Sequence, residues 1–241
     1  MDLAPLALVT GGAHRLGRAF SLELAQHGYA VCLHYWNSAE KAQSTADELR
    51  RLGVPAFLVR ADLTNPAAIS GMFSRIDELG HPLGVLVNSA AVFRAGNTRD
   101  LTIDEWDATM ELNLRAPFLC GREAADRMTS GGLIVNISDV GASKSWSRFP
   151  AYSVSKAGLE ALTRIMARAY GPEVRVNAIA PGLVLRSSET SNADWNRLVA
   201  RLPLKRAGTP EEISAALGFL ITNTYVTGEI LAIDGGYGLI G

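Results

Sequence analysis

Seven short apolar runs, near residues 6–10, 30–35, 56–62, 85–90, 133–138, 174–180 and 229–234, are mostly rich in Val, Ile and Leu with little polar alternation. A strand of that composition has to be covered on both faces, because a wet face would select a polar residue at every second position. Between the runs lie amphipathic segments near 16–27, 39–52, 67–79, 102–128, 151–170 and 210–222, each long enough for a helix that buries one stripe. Strand and helix alternating in this way predict an α/β fold: a doubly wound parallel sheet of about seven strands, right-handed crossovers, and helices on both faces. Ligands in such sheets bind beyond the carboxyl ends of the strands, so the residues that follow each run are where chemistry is expected.

No repeat, low-complexity tract or Pro/Ser-rich linker interrupts the 241 residues, which predicts a single domain over 1–241. The irregular stretch 183–192 reads as a flap followed by a short helix. A net charge of −1 and the absence of like-charge runs argue against nucleic acid or an anionic membrane as partner. There is no charged leader and no apolar stretch of spanning length, so a cytoplasmic location is expected. Cys32 and Cys120 fall inside a strand and a helix pattern and are expected to be buried and inert. His14, His27, His34 and His81 have no metal-ligand spacing, so no metal is expected.

The first strand runs into Thr10-Gly11-Gly12-Ala13-His14-Arg15-Leu16-Gly17, a small-residue turn that opens a helix. Free N–H groups and the helix dipole favour a phosphate there, which points Gly11, His14, Arg15 and Leu16 to a nucleotide, although the strict G-x-G-x-x-G is absent and a plain turn is the alternative. The second strand ends in His34-Tyr35-Trp36-Asn37-Ser38. It offers no carboxylate for a ribose 2′-hydroxyl, and His34, Asn37 and Ser38 would instead suit a 2′-phosphate, so NADP is expected over NAD. Ser38 could equally be a plain helix cap. Asp62 and Leu63 close the third strand, where Asp62 could accept from an adenine amino group or simply shape a turn.

Tyr152 and Lys156 stand four residues apart, on one face of a predicted helix, and Asp139 precedes the tyrosine by thirteen residues at the end of an apolar run. An ammonium beside a phenol favours its ionised form over the ordinary pKa of about 10, so this pair predicts a proton donor that works near neutrality.

Taken in order, Thr10-Gly11 with Gly17, Asp62, Asn88-Ser89-Ala90, Asn113, Tyr152 with Lys156, Pro181-Gly182 and Asp234-Gly235-Gly236 resemble the short-chain dehydrogenase/reductases, a Rossmann-type family. The resemblance implies hydride transfer from a nicotinamide, with Tyr152 as proton donor, Lys156 on the ribose, Asn113 supporting a relay water, and Asn88, Ser89, Ala90, Pro181 and Gly182 against the cofactor. It also implies a homotetramer. Where the family usually has a catalytic serine, this chain has Asp139 in Asn136-Ile137-Ser138-Asp139. Together with Arg15 in the glycine turn, that replacement is similar to the pteridine reductases. Phe93 falls where that branch stacks an aromatic on the pterin, and Pro181-Gly182-Leu183 resembles its active-site loop, so Arg15, Phe93, Asp139, Tyr152 and Leu183 are the implied substrate contacts. The chain departs from the pattern at Ala91, usually glycine, and at Asn37, where many pteridine reductases carry arginine. The alternatives are a carbonyl reductase or alcohol dehydrogenase acting on a 3-oxoacyl or sugar-like substrate, and a non-catalytic NADP-binding regulator, which would have no chemical need of Asn113, Tyr152 and Lys156.

Overall fold

The computed structural model describes residues 3–129, 131–144, 146–187 and 190–240. Strands β1 (Leu6–Thr10), β2 (Ala30–Tyr35), β3 (Ala56–Arg60), β4 (Leu83–Asn88), β5 (Gly132–Ile137), β6 (Val174–Pro181) and β7 (Ile230–Ile233) form one sheet in the order β3-β2-β1-β4-β5-β6-β7. Every neighbouring pair is parallel. β1 and β5 are buried along their whole length, as unbroken apolar runs require.

Alternate residues of β1 feed opposite layers. Leu6 and Leu8 pack with Phe73 of α3 (Pro66–Asp77), Cys120 of α5 (Ala116–Ala125) and Met166 of α6 (Pro150–Tyr170). Ala7 and Val9 pack with Phe20 of α1 (Arg15–Gln26), Leu49 of α2 (Ala39–Arg51) and Leu217 of α8 (Pro210–Thr222). Cys32 and Cys120 lie unpaired in the interior, and burial pushes each thiol up to about 12, so both stay protonated and unreactive. From β1 the chain winds outward to β2 and β3, then returns to lay β4 on the other side of β1. That reversal opens a crevice at the carboxyl ends of β1 and β4.

Two elements differ from the sequence expectation. The segment 102–128 is not one helix: α4 (Ile103–Met110), begun by a Thr102/Glu105 capping box, passes through a π-helical turn over Glu111–Arg115 before α5. Pro117 has no N–H to give the carbonyl four residues back, that of Asn113, and the wider turn sits where that bond is missing. Strand β3 stops at Arg60, which leaves Asp62 in the loop beyond it. The stretch after β6 leads into α7 (Asn192–Arg201), the short helix expected there. Among the described residues, no helix is long and apolar enough to cross a membrane.

The opening of α1 is the tightest joint in this frame. A Cβ on Gly17 would lie 2.1 Å from the Gly11 carbonyl oxygen, so the helix meets the turn only with hydrogen at that position. Gly17→Ala is expected to destabilise the protein by about 1–3 kcal/mol, read as a lower denaturant midpoint. An unchanged midpoint would show that the joint relaxes freely.

Candidate active site

The carboxyl ends of the central strands, the glycine turn and the loop after β6 enclose a cleft of about 730 Å³. Asp139, the first residue beyond Ser138 after β5, caps a short 3₁₀ turn over Val140–Ser143: its Oδ1 accepts from the Gly141 N–H at 2.7 Å. Its other oxygen accepts from the Tyr152 hydroxyl at 2.9 Å. Helix α6 presents Lys156 one turn after Tyr152, and the lysine Nζ donates to the Ile137 carbonyl at 2.6 Å, 5.7 Å from the centre of the tyrosine ring. All three groups line the cleft, and Tyr152 and Lys156 are almost wholly buried.

Their protonation follows from that burial. Loss of water, then the Asp139 charge, pushes the Tyr152 phenol well above its ordinary value. The phenol is therefore not depressed as the four-residue spacing suggested: the Lys156 ammonium is turned to the Ile137 carbonyl, and burial and Asp139 outweigh it. Burial also raises the Asp139 carboxyl, against the pull of Gly141, Tyr152 and Lys156. It lowers Lys156 to about 8, with Asp139 holding it from falling further. The phenol therefore keeps its proton, with a carboxylate 2.9 Å away to steady it.

At the nucleotide end, Gly11 has φ +65° and its Cα lies so close to Ala90 that a Cβ would be 3.0 Å from the Ala90 Cα. His14 is the N-cap residue of α1 yet makes no side-chain cap, its Nδ1 is buried without a partner, and the first turn of the helix carries no acidic residue. Arg15 has φ +54°, a conformation that glycine adopts at no steric cost and arginine at about 1–2 kcal/mol. Its guanidinium donates across the cleft to the Leu185 carbonyl at 3.1 Å. Leu16, Asn37, Ser38, Asp62, Leu63, Ser89, Ala90, Pro181, Gly182 and Leu183 all line the cleft. Ser38 precedes α2 but makes no side-chain cap, so its hydroxyl is not spent on the helix. Asp62 is partly committed: its Oδ1 accepts from the Thr64 N–H at 2.9 Å and the Thr64 hydroxyl at 2.7 Å, the turn-forming alternative.

Three sequence candidates stand behind the cleft rather than in it. His34 is buried; its Nδ1 accepts from the Gly11 N–H at 3.1 Å and its Nε2 donates to the Ala61 carbonyl at 3.0 Å. Both ring nitrogens are used, so neither is left for a phosphate, and burial first of all lowers the ring to about 4. Asn88 donates to Asn136 Oδ1 at 2.9 Å, and Asn136 donates to Thr163 Oγ1 at 2.9 Å, a buried chain that ties β4 to β5 and α6. Asn113, in the π turn, brackets Val92 by accepting from its N–H and donating to its carbonyl, both at 2.9 Å, and reaches Ser155 Oγ at 3.2 Å.

On the substrate side, Phe93 stacks on Phe149 with ring centres 4.3 Å apart and meets Tyr152 edge-on at 4.7 Å. Trp146, Trp195 and Tyr237 also face the cleft, and sequence reading passed over all three. Two of them had a signal in position alone, Trp146 between Asp139 and Tyr152 and Tyr237 directly after Asp234-Gly235-Gly236, and Trp195 had none. Among the described residues, no group of His, Cys, Asp or Glu has the placement to hold a metal.

The family model described as enoyl-(acyl carrier protein) reductase matches residues 11–238, and the chain belongs to the short-chain dehydrogenase/reductase family. An uncharacterized oxidoreductase, YgfF, of Escherichia coli is 34% identical over 96% of this chain and 99% of its own length. The 3-oxoacyl-[acyl-carrier-protein] reductase FabG of Staphylococcus aureus is 30% identical over 98% of this chain and 99% of its own. Among solved structures, FolM alternative dihydrofolate reductase 1 from Brucella canis, complexed with NADP, is 33% identical with a TM-score of 0.93, covering 98% of this chain and 95% of that one.

The residues present fit a dinucleotide. A Cβ would crowd the glycine turn, the orphaned His14 Nδ1 faces the opening of α1, and the Ser38 hydroxyl is not spent on capping α2. The depressed Lys156 gives a test of the catalytic end that needs no ligand. Between about 8, its folded value, and the ordinary 10.5, the unfolded chain holds a proton that the folded one has released. Stability therefore gains with rising pH in that window. Relative to Lys156→Met, the wild type is expected to gain up to about 3 kcal/mol from pH 8 to 10.5 in denaturant titrations. A constant difference would place the ammonium in water.

Proposed function

We propose that the chain is an NADPH-dependent reductase that adds hydride and a proton across a C=N bond of a dihydropterin. The observation that carries this reading is the Tyr152–Asp139 hydrogen bond of 2.9 Å in a cleft walled by Phe93. A carbonyl reductase gains from a hydroxyl that polarises a developing oxyanion. A ring nitrogen calls for an acid, and a flat ring for an aromatic wall.

NADPH, when bound, supplies the hydride that goes to carbon. Gly11, His14, Arg15 and Leu16 hold its pyrophosphate at the start of α1, and Asn37 and Ser38 hold its 2′-phosphate. Asp62 and Leu63 border the adenine, while Ser89, Ala90, Pro181 and Gly182 shape the nicotinamide side. His34 and Asn88 act by holding these loops, and Asn113 by pinning Val92 to α6. Phe93 and Leu183 position the heterocycle, and Arg15 reaches over it. Tyr152 passes its proton to the ring nitrogen, Asp139 steadies the phenol, and Lys156 binds the ribose and eases the phenolate that forms. Hydride on carbon and proton on nitrogen saturate the C=N bond, so atoms and charge balance.

The name FolM on a relative 33% identical in sequence supports the pterin reading. The FabG relative favours the rival, a ketone of the 3-oxoacyl type. We further propose a single cytoplasmic domain that pairs as a homotetramer through the apolar groove between the π turn, α5 and α6, where Phe118 and Ile165 are exposed.

NADPH oxidation is expected with 7,8-dihydrobiopterin or dihydromonapterin and not with simple ketones. The opposite pattern would reject the pterin assignment. Tyr152→Phe should lower kcat by about 100-fold or more while leaving the Kd for NADPH within about twofold. Asp139→Ser should cost the pterin reaction more than any residual ketone reaction.

A further inference from the structure

The aromatic lining does not stop at Phe93. Four rings of the cleft wall are linked through Phe149 behind it, with centres 4.7 Å apart from Tyr152 to Phe93, 4.3 Å to Phe149, 6.2 Å to Trp146 and 6.1 Å to Tyr237. The first member is the proton donor, so a reacting ring held against Tyr152 and Phe93 leaves the last two to meet whatever that ring carries.

Both outer rings are fixed from below. Trp146 lies over Gly141, where a Cβ would be 2.4 Å from the indole, and Gly141 is the residue whose N–H holds Asp139. Tyr237 rides on a turn after β7 that Asp234 builds, accepting from the Gly236 N–H at 2.8 Å and the Gly238 N–H at 2.6 Å, with Gly235 and Gly236 at φ +61° and +87°. Pro203 backs this turn so closely that a Cβ on Gly236 would be 2.5 Å from its Cγ. Lys144, whose carbonyl accepts from the Trp146 N–H at 3.0 Å, ties that segment to the Tyr237 turn, with its Nζ 5.3 Å from the centre of the Tyr237 ring and donating to the Ile240 carbonyl. A half-buried wall held at this many points costs little ordering on binding, which is what a recognition surface needs.

We propose that Trp146 and Tyr237 form a subsite that reads the substituent of the reducible ring and favours an aryl group. The inference rests on the pterin reading for the identity of that ring, but the wall itself would act on any ring reduced at Tyr152. Stacking and edge contacts between aromatic groups discriminate an aryl from a methyl substituent, whereas Lys144 supplies a cation over the outer ring and no acceptor.

The test compares 7,8-dihydrofolate, whose substituent carries an aminobenzoyl ring, with 6-methyl-7,8-dihydropterin, whose substituent is methyl. Tyr237→Leu and Trp146→Leu are each expected to raise KM for the aryl substrate roughly tenfold, to change KM for the methyl substrate by less than about twofold, and to leave the Kd for NADPH unchanged. Tyr237→Phe, which keeps the ring, should restore the aryl KM. Equal effects on both substrates, or a parallel loss of NADPH affinity, would overturn the proposal by making the pair a structural strut. Should the wild type reduce neither pterin but reduce ketones, the pterin reading fails and the same variants are scored on aryl against methyl ketones. Turnover of neither set removes both.

Discussion

A carboxylate and a phenol 2.9 Å apart, the phenol buried and the acid at the wall of the cleft, set the terms for the rest of this molecule. Burial makes charge on either expensive and raises both, so the phenol keeps its proton and gives it as a hydrogen bond to the acid. The fold exists around that constraint: Gly141 caps one carboxylate oxygen, leaving the other for the phenol, and Lys156 is drawn to a backbone carbonyl where its charge counters the acid without capturing it. A serine at 139 would polarise; an aspartate stores and returns a proton.

Holding that pair still is the work of groups that never face a ligand. The Asn88–Asn136–Thr163 chain locks the ends of two adjacent strands to the helix that carries Tyr152. Asn113 fixes the segment leading to Phe93 against the same helix. These amides are satisfied internally, and a buried polar network of this kind rigidifies because breaking one bond leaves its partner unpaired. Geometry at the cleft is thus inherited from the sheet.

Much of this was legible in the residues. Unbroken apolar runs could only be doubly covered strands, and the order of the segments fixed a parallel sheet. The spacing of Asp139, Tyr152 and Lys156 put them at one strand end and on one helix face, where they meet. What stayed hidden was direction. Nothing in a four-residue spacing says that an ammonium will point to the Ile137 carbonyl, or that burial and Asp139 will outweigh it at the phenol. His34 has the donors of a phosphate ligand, but the same donors serve equally well inside, and only three-dimensional neighbours tell which. Trp146 and Tyr237 are 91 residues apart in the chain, and no periodicity links them.

The histidine that sequence reading sent to the ligand has a different consequence. Because its Nδ1 takes the Gly11 N–H, the ring must remain neutral for the glycine turn to keep its shape, and burial lowers its affinity for a proton to about 4. An unfolded chain would accept that proton near 6.5, so each step of acidification through this interval tilts the balance away from the native state. A second N–H on the ring would stand against the Gly11 N–H it now accepts from. Acid therefore loosens this molecule at the turn of its nucleotide cradle, through an imidazole that stands behind the cleft.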